Sequence, residues 1–294
     1  MLSKDTIATL LGCIEQQIGI EFSNAEIKQV SGGDTHQAYQ LTDANIQLFI
    51  KINTRANNAI LESEHRSLSL LSNTEVADLY PKPLAQFEFD DFSVLAMSLF
   101  TMVPIDRHNA EQCGSDLARQ HANVGDCFGW PVNNYIGSTP QGNAQGDSWL
   151  VFFRDQRLHP QLEWTAGNGL SIQLYKQVQL LIDRLPEILP ADIKPRLVHG
   201  DLWSGNLAYR PASGKLALYD PAPYYGDSEA DIAMTKLFGR LDDGFYQAYR
   251  HSFPAPNNEV QHHAIYNLYH ALNHFNLFGS SYEGMIYALL RTFV

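Results

Sequence analysis

Leu197-Val-His-Gly-Asp-Leu-Trp-Ser-Gly-Asn206, followed by Leu216-Ala-Leu-Tyr-Asp220, is the stretch on which the reading of this chain turns. It gathers three oxygen-bearing side chains, Asp201, Asn206 and Asp220, around one site. Leu216 to Tyr219 is a short apolar run that reads as a strand, and Asp220 closes it. Mg²⁺ is a hard cation that prefers oxygen ligands and shares its shell with nucleotide phosphates. A carboxylate beside such a cation can orient or deprotonate an attacking hydroxyl. The chemistry this points to is phosphoryl transfer. The plainer reading is an Asx-turn loop followed by an ordinary strand-end Asp. Further parts upstream weigh against it.

Composition narrows the class. At 294 residues the chain exceeds one typical domain and suits a two-lobed enzyme. An apolar fraction of 45%, with 15 Phe, 14 Tyr and 4 Trp, requires a sizeable interior. The formal charge is −12, from 32 acidic and 20 basic residues, with no Lys/Arg-rich run. Such a chain is a poor counterion for phosphate backbones, so nucleic acid is not an expected partner. The start, Met1-Leu-Ser-Lys-Asp5, lacks the charged head and apolar core of a signal peptide. No stretch reaches about 18 uninterrupted apolar residues, so no membrane span is expected. Cys13, Cys113 and Cys127 are scattered, which suits reduced thiols in a cytoplasmic protein.

Periodicity divides the chain. Residues 3–18 read as a helix, with Ser3 as N-cap and Ile7, Leu10, Leu11, Ile14 and Ile18 on one face. Three strands are expected near 27–30, 38–41 and 46–52, a helix over 58–72, then strands near 84–89 and 92–99. After about residue 100 the pattern is mainly helical, with helices near 110–124, 147–158, 170–185, 229–239, 243–251, 259–276 and 281–293. Residues 129–147, rich in Gly, Asn, Pro and Gln, read as a loop. The expected fold is α+β and bilobal: a small β-rich lobe over 1–100 and a larger, mainly helical lobe over 101–294.

Several residues extend the constellation. The five-residue separation of Asp201 and Asn206 is that of the protein-kinase loop H-R-D-x-x-x-x-N. Gly32 and Gly33 lie between strands, where glycines let backbone N–H groups approach phosphates, although a hairpin turn needs them equally. No Gly-Lys-Ser/Thr follows, so this is not a Walker A loop. Lys51 ends Ile46-Gln-Leu-Phe-Ile-Lys51, on the face opposite Ile50, where its point charge suits nucleotide phosphates. Glu62 and Glu64 follow on the next helix. Two residues of helix is about 200° of rotation, so only one of them can face the strand. His199 reads as structural. One of Asp227, Glu229 and Asp231 reads as binding substrate or anchoring the loop, but acids favoured at a helix N-terminus explain each of the three at least as well. His263, His270 and His274 share a helical face, but the surrounding Tyr, Leu and Phe read as packing rather than a metal site.

Taken together, the chain resembles the fructosamine kinase (ketosamine 3-kinase) family, within the wider protein-kinase-like and aminoglycoside-phosphotransferase-like group. The resemblance runs through Gly32-Gly-Asp-Thr-His-Gln-Ala-Tyr39, Phe49-Ile-Lys-Ile-Asn53, Glu64 with Leu68, Asn134-Tyr-Ile-Gly-Ser-Thr-Pro-Gln141 and Arg154 to Leu162. It is strongest in His199 to Asn206 and Asp220 to Asp227, and continues through Glu229 to Met234 and Leu268 to Gly279. The resemblance implies ATP and Mg²⁺ as cofactors and the 3-hydroxyl of a ketosamine as acceptor, whether a small molecule or a glycated protein side chain. The product would shed its sugar, giving deglycation. By the same resemblance Asp201 is the base, Asn206 and Asp220 are the Mg²⁺ ligands, and Lys51 with Glu64 holds the phosphates beside Gly32 and Gly33. Trp203, Arg157, Gln161 and Asp227 would lie near the sugar. Ser98, Ser228 and Arg240 depart from the family pattern. Alternatives are a kinase for another small hydroxylated amine, aminoglycoside- or choline-like, and a non-catalytic nucleotide-binding module. A protein kinase is disfavoured, since no Asp-Phe-Gly or Ala-Pro-Glu brackets an activation segment.

Overall fold

The structure, a computed structural model, describes residues 3–30, 36–44 and 46–293. It divides into two units, Met1–Met102 and Val103–Val294.

In the first unit the elements run α1 (Lys4–Ile18), β1 (Glu26–Val30), β2 (Gln37–Asp43), β3 (Ile46–Thr54), α2 (Asn58–Leu71), β4 (Pro83–Phe89) and β5 (Phe92–Ser98). Ser3 caps α1 by accepting from the Thr6 N–H, and Gly19 ends it in the left-handed region. The strands form one antiparallel sheet in the order β1-β2-β3-β5-β4. Side chains alternate across a strand. Leu48, Ile50 and Ile52 of β3 therefore pack with Leu10 and Ile14 of α1, in one apolar cluster with Leu41, Val94 and Ala96. Lys51 points the other way, to α2.

The second unit runs α3 (Ala110–His121), β6 (Asn134–Ile136), β7 (Thr139–Gln141), α4 (Trp149–Phe153), α5 (His159–Gly167), α6 (Ile172–Asp183), α7 (Leu185–Ile188), β8 (Arg196–Val198), β9 (Leu207–Arg210), β10 (Lys215–Leu218), β11 (Tyr224–Gly226), α8 (Glu229–Leu237), α9 (Asp243–Ser252), α10 (Glu259–Phe278) and α11 (Glu283–Leu290). Its core is α10, buried on nearly every side from His262 to Asn273 and packed on α8, α5 and α11. Antiparallel pairs β8–β11 and β9–β10 carry the loops of interest. No helix among the described residues is long and apolar enough to cross a membrane.

Two readings of this unit needed revision. The segment read as loop over 129–147 contains the β6–β7 hairpin, too short for alternation to reveal. The helix expected to stop at 158 continues to Gly167 through a widened π-type turn at Arg154–Leu158. Pro160 has no N–H to give the carbonyl four residues back. That carbonyl, Gln156 O, accepts instead from the Arg157 guanidinium at 2.9 Å. A proline that would ordinarily end the helix is thereby tolerated.

Candidate active site

The site begins with backbone accounting. The 199–206 loop leaves strand β8 and must satisfy its N–H groups without a ladder. Asp231 of α8 takes two of them, from His199 at 2.6 Å and Gly200 at 2.9 Å. Gly200 sits at φ +83°, and a Cβ there would overlap the Ala222 carbonyl oxygen, so only glycine fits. The ring of His199 bridges the two halves of the site. Its Nδ1 accepts from the Asp201 N–H at 3.3 Å, which leaves Nε2 to donate to Tyr219 O at 3.0 Å. Burial holds the His199 pKa down against the nearby charge of Asp231, so the ring is a neutral brace.

Asn206 closes the loop from the other end. Its Nδ2 donates to Asp201 O at 2.9 Å and approaches Asp201 Oδ2 at 3.3 Å. The Tyr219 N–H donates to Asn206 O at 3.1 Å, joining the loop to the segment that bears Asp220. Asp220 itself adopts φ +55°, a left-handed conformation that Asp tolerates better than most residues.

The electrostatics follow. Burial, reinforced by the charges of Asp220 and Asp231, pushes the half-buried Asp201 carboxyl up to about 7. Excess negative charge is therefore concentrated at Asp201 and Asp220, beside the amide oxygen of Asn206. These are the hard oxygen donors Mg²⁺ takes, and the excess charge is what a cation would relieve, so this donor set fits the ion. Asp231 is differently placed. Burial raises its pKa, but the hydrogen bond and charge of His121 outweigh that and hold it low.

In the first unit Lys51, only 5% exposed, lies with Nζ 2.6 Å from Glu64 Oε1. Glu62 points away and pairs with Arg66 at 2.6 Å in solvent. Gly32 and Gly33 lie outside the described residues.

A family model described as fructosamine kinase matches residues 6–294. The chain belongs to the fructosamine kinase family. It is 37% identical over 289 residues to the probable ketoamine kinase of Synechocystis, covering 96% of this chain and 95% of that one. A crystal structure from Thermobifida fusca ascribed to fructosamine-3-kinase superposes with a TM-score of 0.83 at 27% identity, covering 96% of this chain and 97% of that one. A thermostable variant of aminoglycoside phosphotransferase APH(4)-Ia, complexed with AMP-PNP and hygromycin B, shares the fold. Its TM-score is 0.61 at 16% identity, covering 96% of this chain and 98% of that one.

The residues expected near a sugar divide in this member of the fructosamine kinase family. Trp203 is 39% exposed and lies over Gly205, where any Cβ would strike its ring. Arg157 is 0% exposed, its guanidinium engaged within the protein. Its guanidinium lies 4.1 Å from the Tyr224 ring centroid and 4.7 Å from that of Phe152. It donates to Gly142 O, Gln156 O and Asn143 Oδ1. Among the described residues its partners are carbonyls and ring faces, with no carboxylate. Arg157 ties the 142–143 turn to the helix it sits on. Gln161 is likewise buried and is bonded to Asn273 and Asn276. Asp227 is also held within the protein. Its Oδ1 accepts from the Glu229 N–H at 3.0 Å and its Oδ2 from the Tyr266 hydroxyl at 2.5 Å, so it opens α8 and faces the core.

Sequence reasoning left open which of Asp227, Glu229 and Asp231 anchors the loop; Asp231 does, and the groups behind it were not foreseen. Asp231 is itself held by His121 Nε2 at 3.1 Å, and His121 Nδ1 meets the Tyr249 hydroxyl at 2.9 Å. The available signal was an acid amid Ala230, Ile232, Ala233 and Met234, a buried setting an unpaired carboxylate does not occupy. His263 belongs to a different network, with Glu229, Glu259, Arg250 and Lys236. Arg250 bonds both carboxylates there, so the cluster is already charge-compensated. The departures are local: Ser98 accepts from the Lys82 N–H, and Arg240 pairs with Asp243 in solvent.

Proposed function

We propose that the chain transfers the γ-phosphoryl group of ATP to the 3-hydroxyl of a ketosamine, a ribulosamine or fructosamine adduct, with deglycation following from the instability of the product. The observation that carries this reading is the braced loop, which offers an acceptor-orienting carboxylate and cation ligands from one hydrogen-bonded unit. Asp201 aligns the sugar hydroxyl and takes its proton as the O3–P bond forms and the bond from Pγ to the bridging oxygen of ADP breaks. The proton passes to solvent. Asn206 and Asp220 would hold Mg²⁺, which supplies charge neutralisation on the phosphates when bound. Lys51, kept in place by Glu64, adds a fixed positive charge for the α and β phosphates. Catalysis on this reading is positioning plus charge stabilisation.

The test is Mg²⁺-dependent ATP consumption with a ribulosamine, a fructosamine and an aminoglycoside. Turnover on a ketosamine is expected, lost in Asp201→Ala while ATP binding persists, and with weakened Mg·ATP binding in Asp220→Ala. Turnover confined to the aminoglycoside would overturn the acceptor assignment. Near-normal rates in Asp201→Ala would overturn the role of that residue.

A further inference from the structure

Beyond the braced loop, Trp203 begins a run of aromatic side chains that phosphoryl transfer does not use. Its ring meets Phe238, just past the end of α8, edge-on at 6.4 Å. Phe238 lies 4.8 Å from the His274 ring of α10. His274 in turn lies 5.7 Å from Phe278 and 5.1 Å from Tyr282, and those two are 5.9 Å apart. All five lie in the second unit. The row is not interior packing: Trp203 is 39% exposed, Phe278 is 52% exposed, and Phe238, His274 and Tyr282 are partly so. Its inner end lies near the loop: a Cβ on Gly239, beside Phe238, would stand 4.0 Å from Ser204 Oγ.

The chemistry of the acceptor says what must meet this surface. In a ketosamine the nitrogen is bonded to C1, and the reacting oxygen to C3. The two are four bonds apart, so nitrogen lies no more than about 5 Å from the reacting oxygen. Whatever the nitrogen carries must leave the site beside Asp201, and Trp203 is two residues along the loop from Asp201. The nitrogen is a secondary amine, protonated at neutral pH. Ring faces attract such a cation, and the carboxylates of Asp201 and Asp220 add to that attraction. Burial holds the His274 ring below its ordinary pKa, so it brings no opposing charge.

We propose that Trp203, Phe238, His274, Phe278 and Tyr282 form the seat for the amine-borne carrier of the acceptor, so that the preferred substrates are small ketosamines whose carrier is aromatic or apolar. This rests on the ketosamine reading above and deepens it. The row selects by what the sugar is attached to, not by the sugar.

The experiment compares two ribulosamines, the adducts of methylamine and of 2-phenylethylamine, with the purified full-length protein. The phenylethyl adduct is expected to show kcat/KM about tenfold higher or more, carried mainly by KM. Phe278→Ala, at an exposed position where folding is safe, is expected to reduce that ratio about fivefold, and Phe238→Leu to reduce it similarly. Ile172→Ala removes an exposed apolar side chain from α6 and is expected to leave the ratio unchanged. Turnover of both adducts with equal kcat/KM, or an undiminished ratio in both aromatic variants, would overturn the seat and leave the kinase reading standing. Absence of turnover on both adducts and on the matching fructosamines by the folded protein would overturn the ketosamine reading and the seat with it.

Discussion

Replacing Asp231 by Asn tests whether the 199–206 loop is held from behind. The carboxylate accepts three hydrogen bonds, from the His199 N–H at 2.6 Å, the Gly200 N–H at 2.9 Å and His121 Nε2 at 3.1 Å. An amide offers one oxygen in place of two and turns an NH₂ toward a donor. At least one of these buried bonds is lost and its N–H left unsatisfied. Hydrogen bonds to charged groups contribute about 1.5–3 kcal/mol, and an orphaned buried donor costs about 1–3 kcal/mol. The expected destabilisation is about 3 kcal/mol, a large share of the roughly 5–15 kcal/mol by which native proteins are stable. That corresponds to a fall in Tm of about 6–12 °C for a chain of this size. Loosening the loop also displaces Asp201, and a misplacement of about 1 Å can cost about a hundredfold in rate. Calorimetry and steady-state kinetics on the same preparation measure both effects. A D231N protein that melts within about 1 °C of the parent and retains kcat within about twofold would refute the brace, because the two N–H groups would then have found other acceptors at no cost.

Gly200→Ala is expected to abolish folding or activity outright, since left-handed backbone costs a non-glycine residue about 1–2 kcal/mol before the overlap with Ala222 O is counted; soluble expression and circular dichroism report it. Arg157→Lys is expected to be nearly as damaging as Arg157→Met, because an ammonium cannot reproduce the planar stacking on Tyr224 and Phe152 or the forked donation to Gly142 and Asn143; equal Tm values for Lys and wild type would contradict this. Stability should also respond to pH through Glu229. Burial raises its pKa, but hydrogen bonds from Arg250 and His263 prevail and bring it from 4.5 to about 2. A carboxylate whose pKa is depressed on folding contributes stability that is fully present above 4.5 and is lost as pH falls toward about 2. Denaturant midpoints between those pH values should therefore fall more steeply in the wild type than in Glu229→Gln.

What could be read in the sequence was whatever has a local cause. The spacing of Asp201 and Asn206 lies within one loop, and the strand ending at Asp220 is contiguous with it. Alternation along Ile46–Thr54 separated Lys51 from Leu48, Ile50 and Ile52 without reference to any other element. Capping and periodicity located α1 and α2 to within a residue or two. The two-residue offset between Glu62 and Glu64 established that only one of them could meet Lys51, while the choice of Glu64 needed the family resemblance.

Tertiary structure decided which polar side chains are left to act. Arg157, Gln161, Asp227 and Asp231 look alike in sequence, each being a polar residue near a motif. Their roles depend on partners far along the chain: Asn143 for Arg157, Asn273 for Gln161, Tyr266 for Asp227, His121 for Asp231. A buried polar group must find such a partner, and the partner's position is a property of packing rather than of spacing. The aromatic row is of the same kind, since its five rings come from the loop, the end of α8, α10 and the turn before α11. Sequence alone determined the chemistry of the reacting groups, because that chemistry resides in residue type and short-range order. Only the folded chain decided which groups brace the loop and which are held in the interior, because burial and hydrogen bonding are settled between segments that meet only in three dimensions.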